Sequence, residues 1–266
     1  MHLISPEELA SAIADRLARQ SAVLVALDGR CGSGKTTLAA QLAERFPQSI
    51  TVHTDDFYLP PSRRVTGWEK IPCANMDIQR LRDEVVAPAR AGQAFSYQAY
   101  SCREGAYLPP RPLGPAPLVI VEGSYSHHPS LAPYYDIRIF VTCSPDEQAR
   151  RLRRREGERY SNFVERWIPL EEGYFTNYSI EENAEMMVVT DRRHRAPVAR
   201  GRFFLLVKRL ALRAGQRQGG VFRIPPPYLW TPLSPQRVKG CTPLTIPKKW
   251  APSKNAGDSC IRTKIS

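Results

Sequence analysis

Acidic residues nearly disappear from the last part of this 266-residue chain: after Thr190 only Asp191 and Asp258 remain, against 17 Lys and Arg. Residues 1–190 carry a slight acidic excess, so the formal net charge of +12 belongs to the tail. A basic domain face that grips nucleic acid is not indicated, and such contact is expected only through that tail. Long apolar runs are also missing. None approaches the ~18 residues that span a bilayer, and no basic stretch precedes an apolar one at the N-terminus. The expectation is a soluble, unexported, cytoplasmic protein with no membrane partner. Cys-x-x-Cys pairs are absent: Cys31, Cys73, Cys102, Cys143, Cys241 and Cys260 are scattered, which argues against a zinc site or a compact disulfide framework and for reduced thiols. No internal repeat occurs.

The length suits one α/β domain with an appendage. We assign residues 1–190 to the domain and 191–266 to a basic, Pro-rich, largely irregular extension, which includes Ile224-Pro225-Pro226-Pro227. Ser5-Pro6-Glu7-Glu8 predicts a capped helix carrying Leu9, Ile13 and Leu17 on one face. Ala22 to Leu27 is continuously apolar and ends in Asp-Gly, as a strand buried on both faces of a parallel sheet would. Lys35 to Phe46 reads as a helix stopped by Pro47. Further strands are expected at Ile50–Thr54, Pro117–Val121, Ile137–Thr142 and Met186–Thr190. Helices are expected at Ile78–Ala91, from the cap Ser144-Pro145-Asp146-Glu147, and from about Tyr160 to Tyr178. Phe95 to Leu108 alternates aromatic and polar residues as a hairpin or an ordered loop does.

Between the first strand and its helix stands Gly29-Arg30-Cys31-Gly32-Ser33-Gly34-Lys35-Thr36, a G-x-x-x-x-G-K-T phosphate loop. Its glycines let backbone N–H groups wrap phosphates, and the helix N-terminus adds positive potential. All eight residues are assigned to ATP, with Lys35 reaching the β and γ phosphates, Thr36 offering its hydroxyl to Mg²⁺, and Thr37 touching a further phosphate. No Asn-Lys-x-Asp segment for guanine accompanies the loop.

Thr54-Asp55-Asp56-Phe57-Tyr58 follows the second strand, where open α/β sheets place ligands. Asp55 is assigned as the base that takes a proton from an acceptor hydroxyl, and Asp56 to the metal and its waters, unless the pair only caps a loop. Tyr58 closes the run and is placed with the acceptor. Glu122 ends an apolar strand as a metal-orienting carboxylate, or else as a turn residue. The Arg-rich helix supplies charge for a moving phosphoryl group, with Arg155 catalytic and Arg151, Arg154 and Arg159 on the substrate; a solvated basic face is the alternative.

Together with Asn75-Met76-Asp77 and Val119-Ile120-Val121-Glu122-Gly123, these segments resemble the uridine kinase and phosphoribulokinase family, and its bacterial uridine-kinase-like branch in particular, from about Leu24 to Val189. Phe163 to Glu171 is similar to that branch. The resemblance implies a five-stranded parallel P-loop NTPase-type sheet flanked by helices, ATP and Mg²⁺, the base at Asp55 and an Arg-bearing lid. It places the acceptor's ribose hydroxyls at Asp77 and its base on Tyr100, although Asp77 also suits a helix N-cap and Tyr100 hairpin packing. The sequence departs from the family where Arg103 stands near the place of a histidine, and in the lid run Arg154-Arg155-Glu156-Gly157-Glu158-Arg159. The expected activity is γ-phosphoryl transfer from ATP to a small hydroxylated acceptor, nucleoside-like (uridine or cytidine). Pantothenate, a sugar phosphate, or a regulatory ATPase without acceptor are the alternatives. A homo-oligomer is compatible with all of these.

Overall fold

The computed structural model describes residues 2–191; of the predicted extension 191–266 all but Asp191 lies outside the described residues. Chain order runs β1 (His2–Leu3), α1 (Pro6–Leu17), β2 (Val23–Gly29), α2 (Lys35–Arg45), β3 (Ser49–His53), α3 (Ile78–Leu81) and α4 (Ala87–Arg90). Next come the short strands β4 (Phe95–Tyr97), β5 (Tyr100–Ser101), β6 (Ala106–Tyr107) and β7 (Arg111–Leu113). The chain continues through β8 (Leu118–Glu122), β9 (Ile137–Thr142), α5 (Pro145–Glu156), α6 (Tyr160–Asn162), α7 (Ile168–Asn177) and β10 (Met186–Val189). Single π-type turns at Arg82–Val86 and Phe163–Trp167 join α3 to α4 and α6 to α7, so both predicted helical stretches are present with a local widening.

Six parallel strands form one sheet in the order β1-β10-β9-β2-β8-β3. The sixth strand, beyond the five implied by the resemblance, is β1, an edge piece of two residues too short to carry a period-2 pattern. The Ser5 cap forms as read: its Oγ accepts the Glu8 N–H at 3.2 Å while Glu8 Oε2 accepts the Ser5 N–H at 2.7 Å.

Every residue of β2 is buried, as its unbroken apolar text required. Alternation sends Val23, Val25 and Leu27 into one layer with Leu9, Ile13, Leu38 and Leu42, and Leu24 and Ala26 into the other with Leu81, Val85 and Ala89. Each fully buried Val, Leu or Ile among them contributes about 1.5–3 kcal/mol. The two layers hold the sheet rigid, so the loops at its carboxyl edge start from fixed points. The segment read as a hairpin is two nested antiparallel pairs, β4 with β7 and β5 with β6. Cys31, Cys73 and Cys143 are free thiols. Among the described residues no helix is long and apolar enough to cross a membrane.

Candidate active site

The phosphate loop leaves β2 at Gly29, whose φ of +131° and approach to Val141 leave no room for a side chain: a Cβ there would lie 2.0 Å from the Val141 carbonyl oxygen. Beneath it the buried Asp28 accepts from Gly29 N at 2.7 Å, His127 N at 2.8 Å and Tyr174 Oη at 2.8 Å, so three hydrogen bonds offset the burial of its carboxylate. Gly34, with φ of +97°, caps α2 without a side chain. The loop and the first turn of α2 thereby form an N-terminus suited to phosphate.

Lys35 is buried, and its Nζ donates to the carbonyls of Gly29 at 2.6 Å and Arg30 at 3.1 Å, inside the loop. The other predicted loop residues divide by direction. Arg30 turns away from the loop to Glu172 (2.8 Å), Glu181 (3.4 Å) and the Thr142 hydroxyl (3.1 Å), with its guanidinium over Phe140 and Phe175. The Cys31 N–H donates to Glu171 Oε2 at 2.8 Å, and Ser124 Oγ donates to Glu171 Oε1 at 2.5 Å. Burial first, then Glu171, push the Cys31 thiol well up, so it stays protonated. The Ser33 hydroxyl is buried with no hydrogen-bond partner, and Thr37 is exposed.

At the strand ends, Thr36 and Glu122 come together: Thr36 Oγ1 lies 3.2 Å from Glu122 Oε1 and 3.4 Å from Oε2. His53 Nδ1 lies 2.5 Å from the same Oε1, and this bond raises the imidazole pKa against the opposing effect of burial. A hydroxyl and a carboxylate beside a phosphate loop are the hard oxygen donors that Mg²⁺ takes alongside phosphate and water, so the donor chemistry fits the ion. No cluster of three or more His, Cys, Asp or Glu suited to a metal occurs among the described residues. Asp56, also expected at the metal, is engaged by the Tyr97 hydroxyl at 2.9 Å, and Arg111 donates to that hydroxyl at 3.3 Å.

Asp55 is exposed by surface area, although protein surrounds its carboxylate closely enough to cost it hydration. Lost hydration, then the charge of Glu122, push its pKa up to about 6; Lys35, a hydrogen bond from Tyr58, and His53 oppose the shift. Asp55 is thus electrostatically coupled to both the loop lysine and the strand-end carboxylate. Tyr58 rises well above the ordinary phenol range, chiefly by burial. Asp77 does cap a helix, accepting from Arg80 N at 3.2 Å, and pairs with Arg63 at 3.0 Å. Tyr100 is buried edge-on against Tyr107 at 5.3 Å.

The arginines do not act as one set. Arg155 and Arg159 both hold the buried Glu156, at 2.7 and 3.4 Å, and Arg155 also lies over Phe163. Arg154 is exposed. Arg151 folds back onto the phosphate loop, donating to the Gly32 and Ser33 carbonyls. His53, Glu171 and Thr190 at this site were not singled out from sequence. An acid within the apolar run Ile168-Pro169-Leu170-Glu171 was the available sign for Glu171, because an ionised residue in a buried face needs partners.

A family model described as AAA domain matches residues 25–168, from β2 through the start of α7. No curated protein matches the sequence. Among solved structures, a possible uridine kinase from Bacillus stearothermophilus is similar at 18% identity and a TM-score of 0.51, covering 69% of this chain and all of the other. A candidate fructose transport system kinase from Silicibacter sp. TM1040 is similar at 20% identity and a TM-score of 0.55, covering 69% of this chain and 98% of the other. At these identities the likeness is one of fold: a parallel sheet flanked by helices with a phosphate loop after its central strand.

Proposed function

The chain belongs to the AAA domain family, and we propose that within it this protein is an ATP-dependent phosphotransferase that moves the γ-phosphoryl group to a hydroxyl of a small, nucleoside-like acceptor. Residues 1–190 are its catalytic domain and 191–266 a basic extension. The observation that carries the reading is the phosphate loop after β2, with Lys35 inside it and Thr36 Oγ1 3.2 Å from Glu122 Oε1, beside which Asp55 is lifted to about 6. A base with that pKa is ionised at neutral pH and still accepts a proton well, which transfer to an alcohol requires.

The backbone of the phosphate loop and Lys35 bind and orient the donor, and Asp55 takes the acceptor's proton. Thr36 and Glu122 would hold Mg²⁺, which when bound would neutralise phosphate charge. Arg154, Arg155 and Arg159 supply positive charge at the edge of the site. Tyr58, Asp77 and Tyr100 face the acceptor. The neighbour described as a possible uridine kinase supports a nucleoside, with uridine and cytidine as first choices, and the one described as a fructose transport system kinase supports testing sugars beside them.

The test is incubation of the protein with ATP, Mg²⁺ and a panel of nucleosides, pantothenate, sugars and sugar phosphates, with products identified by mass. A phosphorylated nucleoside is expected. ATP consumed without any phosphorylated acceptor would make the chain a hydrolytic switch, and no nucleotide uptake would remove the kinase reading altogether.

A further inference from the structure

Arg151 has almost no hydrogen-bonding capacity left for a ligand. Its Nε donates to Glu147 at 2.8 Å, one terminal nitrogen faces the Gly32 carbonyl at 3.1 Å, the Ser33 carbonyl at 2.9 Å and the Thr190 hydroxyl at 2.8 Å, and the other donates to the Thr190 carbonyl at 2.5 Å. A guanidinium has five N–H donors in a fixed plane, and at least four are committed here to protein acceptors. The Thr190 hydroxyl adds a second donor to the Ser33 carbonyl. Two elements distant in sequence, α5 and the end of β10, therefore converge on one peptide unit of the phosphate loop.

A peptide unit is planar and trans, so its C=O and N–H lie on opposite edges. Pinning the Ser33 carbonyl toward Arg151 and Thr190 turns the Gly34 N–H to the other side of the loop. Gly34 is the residue where the left-handed backbone enters α2, so rotation of this unit costs little unless something outside holds it. We infer that Arg151 and Thr190 are positioning residues for phosphate binding: they hold the Ser33–Gly34 peptide so that its N–H faces the phosphates, and Arg151 does not contact the acceptor. This rests on the nucleotide-binding reading of the loop. It also explains a guanidinium at this position, since its three nitrogens reach Glu147, the loop carbonyls and the Thr190 carbonyl at once, which the single nitrogen of a lysine cannot.

The full-length chain is tested by calorimetric binding of ADP and, separately, of inorganic triphosphate, each with Mg²⁺, for wild type, R151K, R151Q and T190V. R151Q is expected to weaken both ligands alike by about tenfold or more, the scale of losing charge-assisted hydrogen bonds. T190V should weaken both alike by less, and R151K should fall between R151Q and wild type. Loss of ADP binding with inorganic triphosphate unaffected would overturn the inference in favour of a contact to the base. A raised acceptor KM with unchanged nucleotide affinity would overturn it in favour of an acceptor contact, and unchanged affinity for both ligands in R151Q and T190V would overturn it outright. If R151Q does not fold, T190V and R151K carry the same readout. A wild type that binds neither ligand removes the nucleotide reading beneath, a result distinct from wild-type binding that the variants leave unaltered.

Discussion

His53 and Glu122 are register partners on the neighbouring strands β3 and β8, and their side chains meet at 2.5 Å between Nδ1 and Oε1. The same carboxylate receives the Thr36 hydroxyl at 3.2 Å, so Glu122 links β3, the phosphate loop helix α2 and its own strand β8. Glu122→Gln keeps the shape and removes the charge. Apparent Mg²⁺ affinity in the presence of ATP is expected to fall by about 10–100-fold, with ADP binding in chelator unchanged. A Mg²⁺ titration identical to wild type would take Glu122 out of the metal site.

Asp55 makes two predictions of opposite sense. Its folded pKa, about 6, stands above the ordinary value of 3.8, so the fold prefers the protonated acid. The stability this gives is present below about pH 4 and is lost as pH rises through about 6. Asp55→Asn, neutral throughout, should therefore melt higher than wild type at pH 7 and above, while phosphoryl transfer disappears and nucleotide binding survives. Wild-type kcat/KM should fall with unit slope below about pH 6, where the base becomes protonated. Turnover in Asp55→Asn at the wild-type rate would remove the base from this position.

Asp77 has a helix cap and an acceptor role to separate. Asn caps a helix as well as Asp does, so Asp77→Asn should keep the melting temperature near wild type while the acceptor KM rises. Asp77→Ala loses the cap as well and should cost about 1 kcal/mol of stability. If Asp77→Asn leaves the acceptor KM unaltered, the residue is a cap and a partner of Arg63 alone.

His127 is buried under the phosphate loop, with Nε2 3.3 Å from the Ala26 carbonyl. Burial holds its pKa below 6.5 despite the nearby charge of Asp28, and His128 is lowered the same way. For a depressed folded pKa, stability is intact above about pH 6.5 and is lost as pH falls, because the unfolded chain binds the proton first. His127→Gln should gain stability relative to wild type as pH falls below about 6.5, since Asp55 and His53 titrate alike in both, so the difference between the two melts isolates the histidine. An equally steep slope in the variant would assign the acid sensitivity to other groups.

The order of elements, the phosphate loop and the two capping sequences were legible along the chain because each depends on neighbours within a turn or a strand. Unbroken apolar text at Val23–Leu27 was enough to read burial on both faces, and Gly-Lys-Thr after it was enough to read the loop. Nested pairing inside Phe95–Leu113 was half visible, since alternation reveals extended chain but not which strand it joins. What only the folded chain decided was direction. Arg30 and Arg151 look like phosphate ligands in one dimension, yet a hydroxyl from residue 142, carboxylates from residues 172 and 181 and a carbonyl from residue 190 turn both guanidinium groups to protein. Glu171, His53 and Thr190 acquire their partners across 140, 69 and 157 residues. A hydrogen bond is set by position and angle in space, and sequence spacing carries neither once the partners lie on different elements.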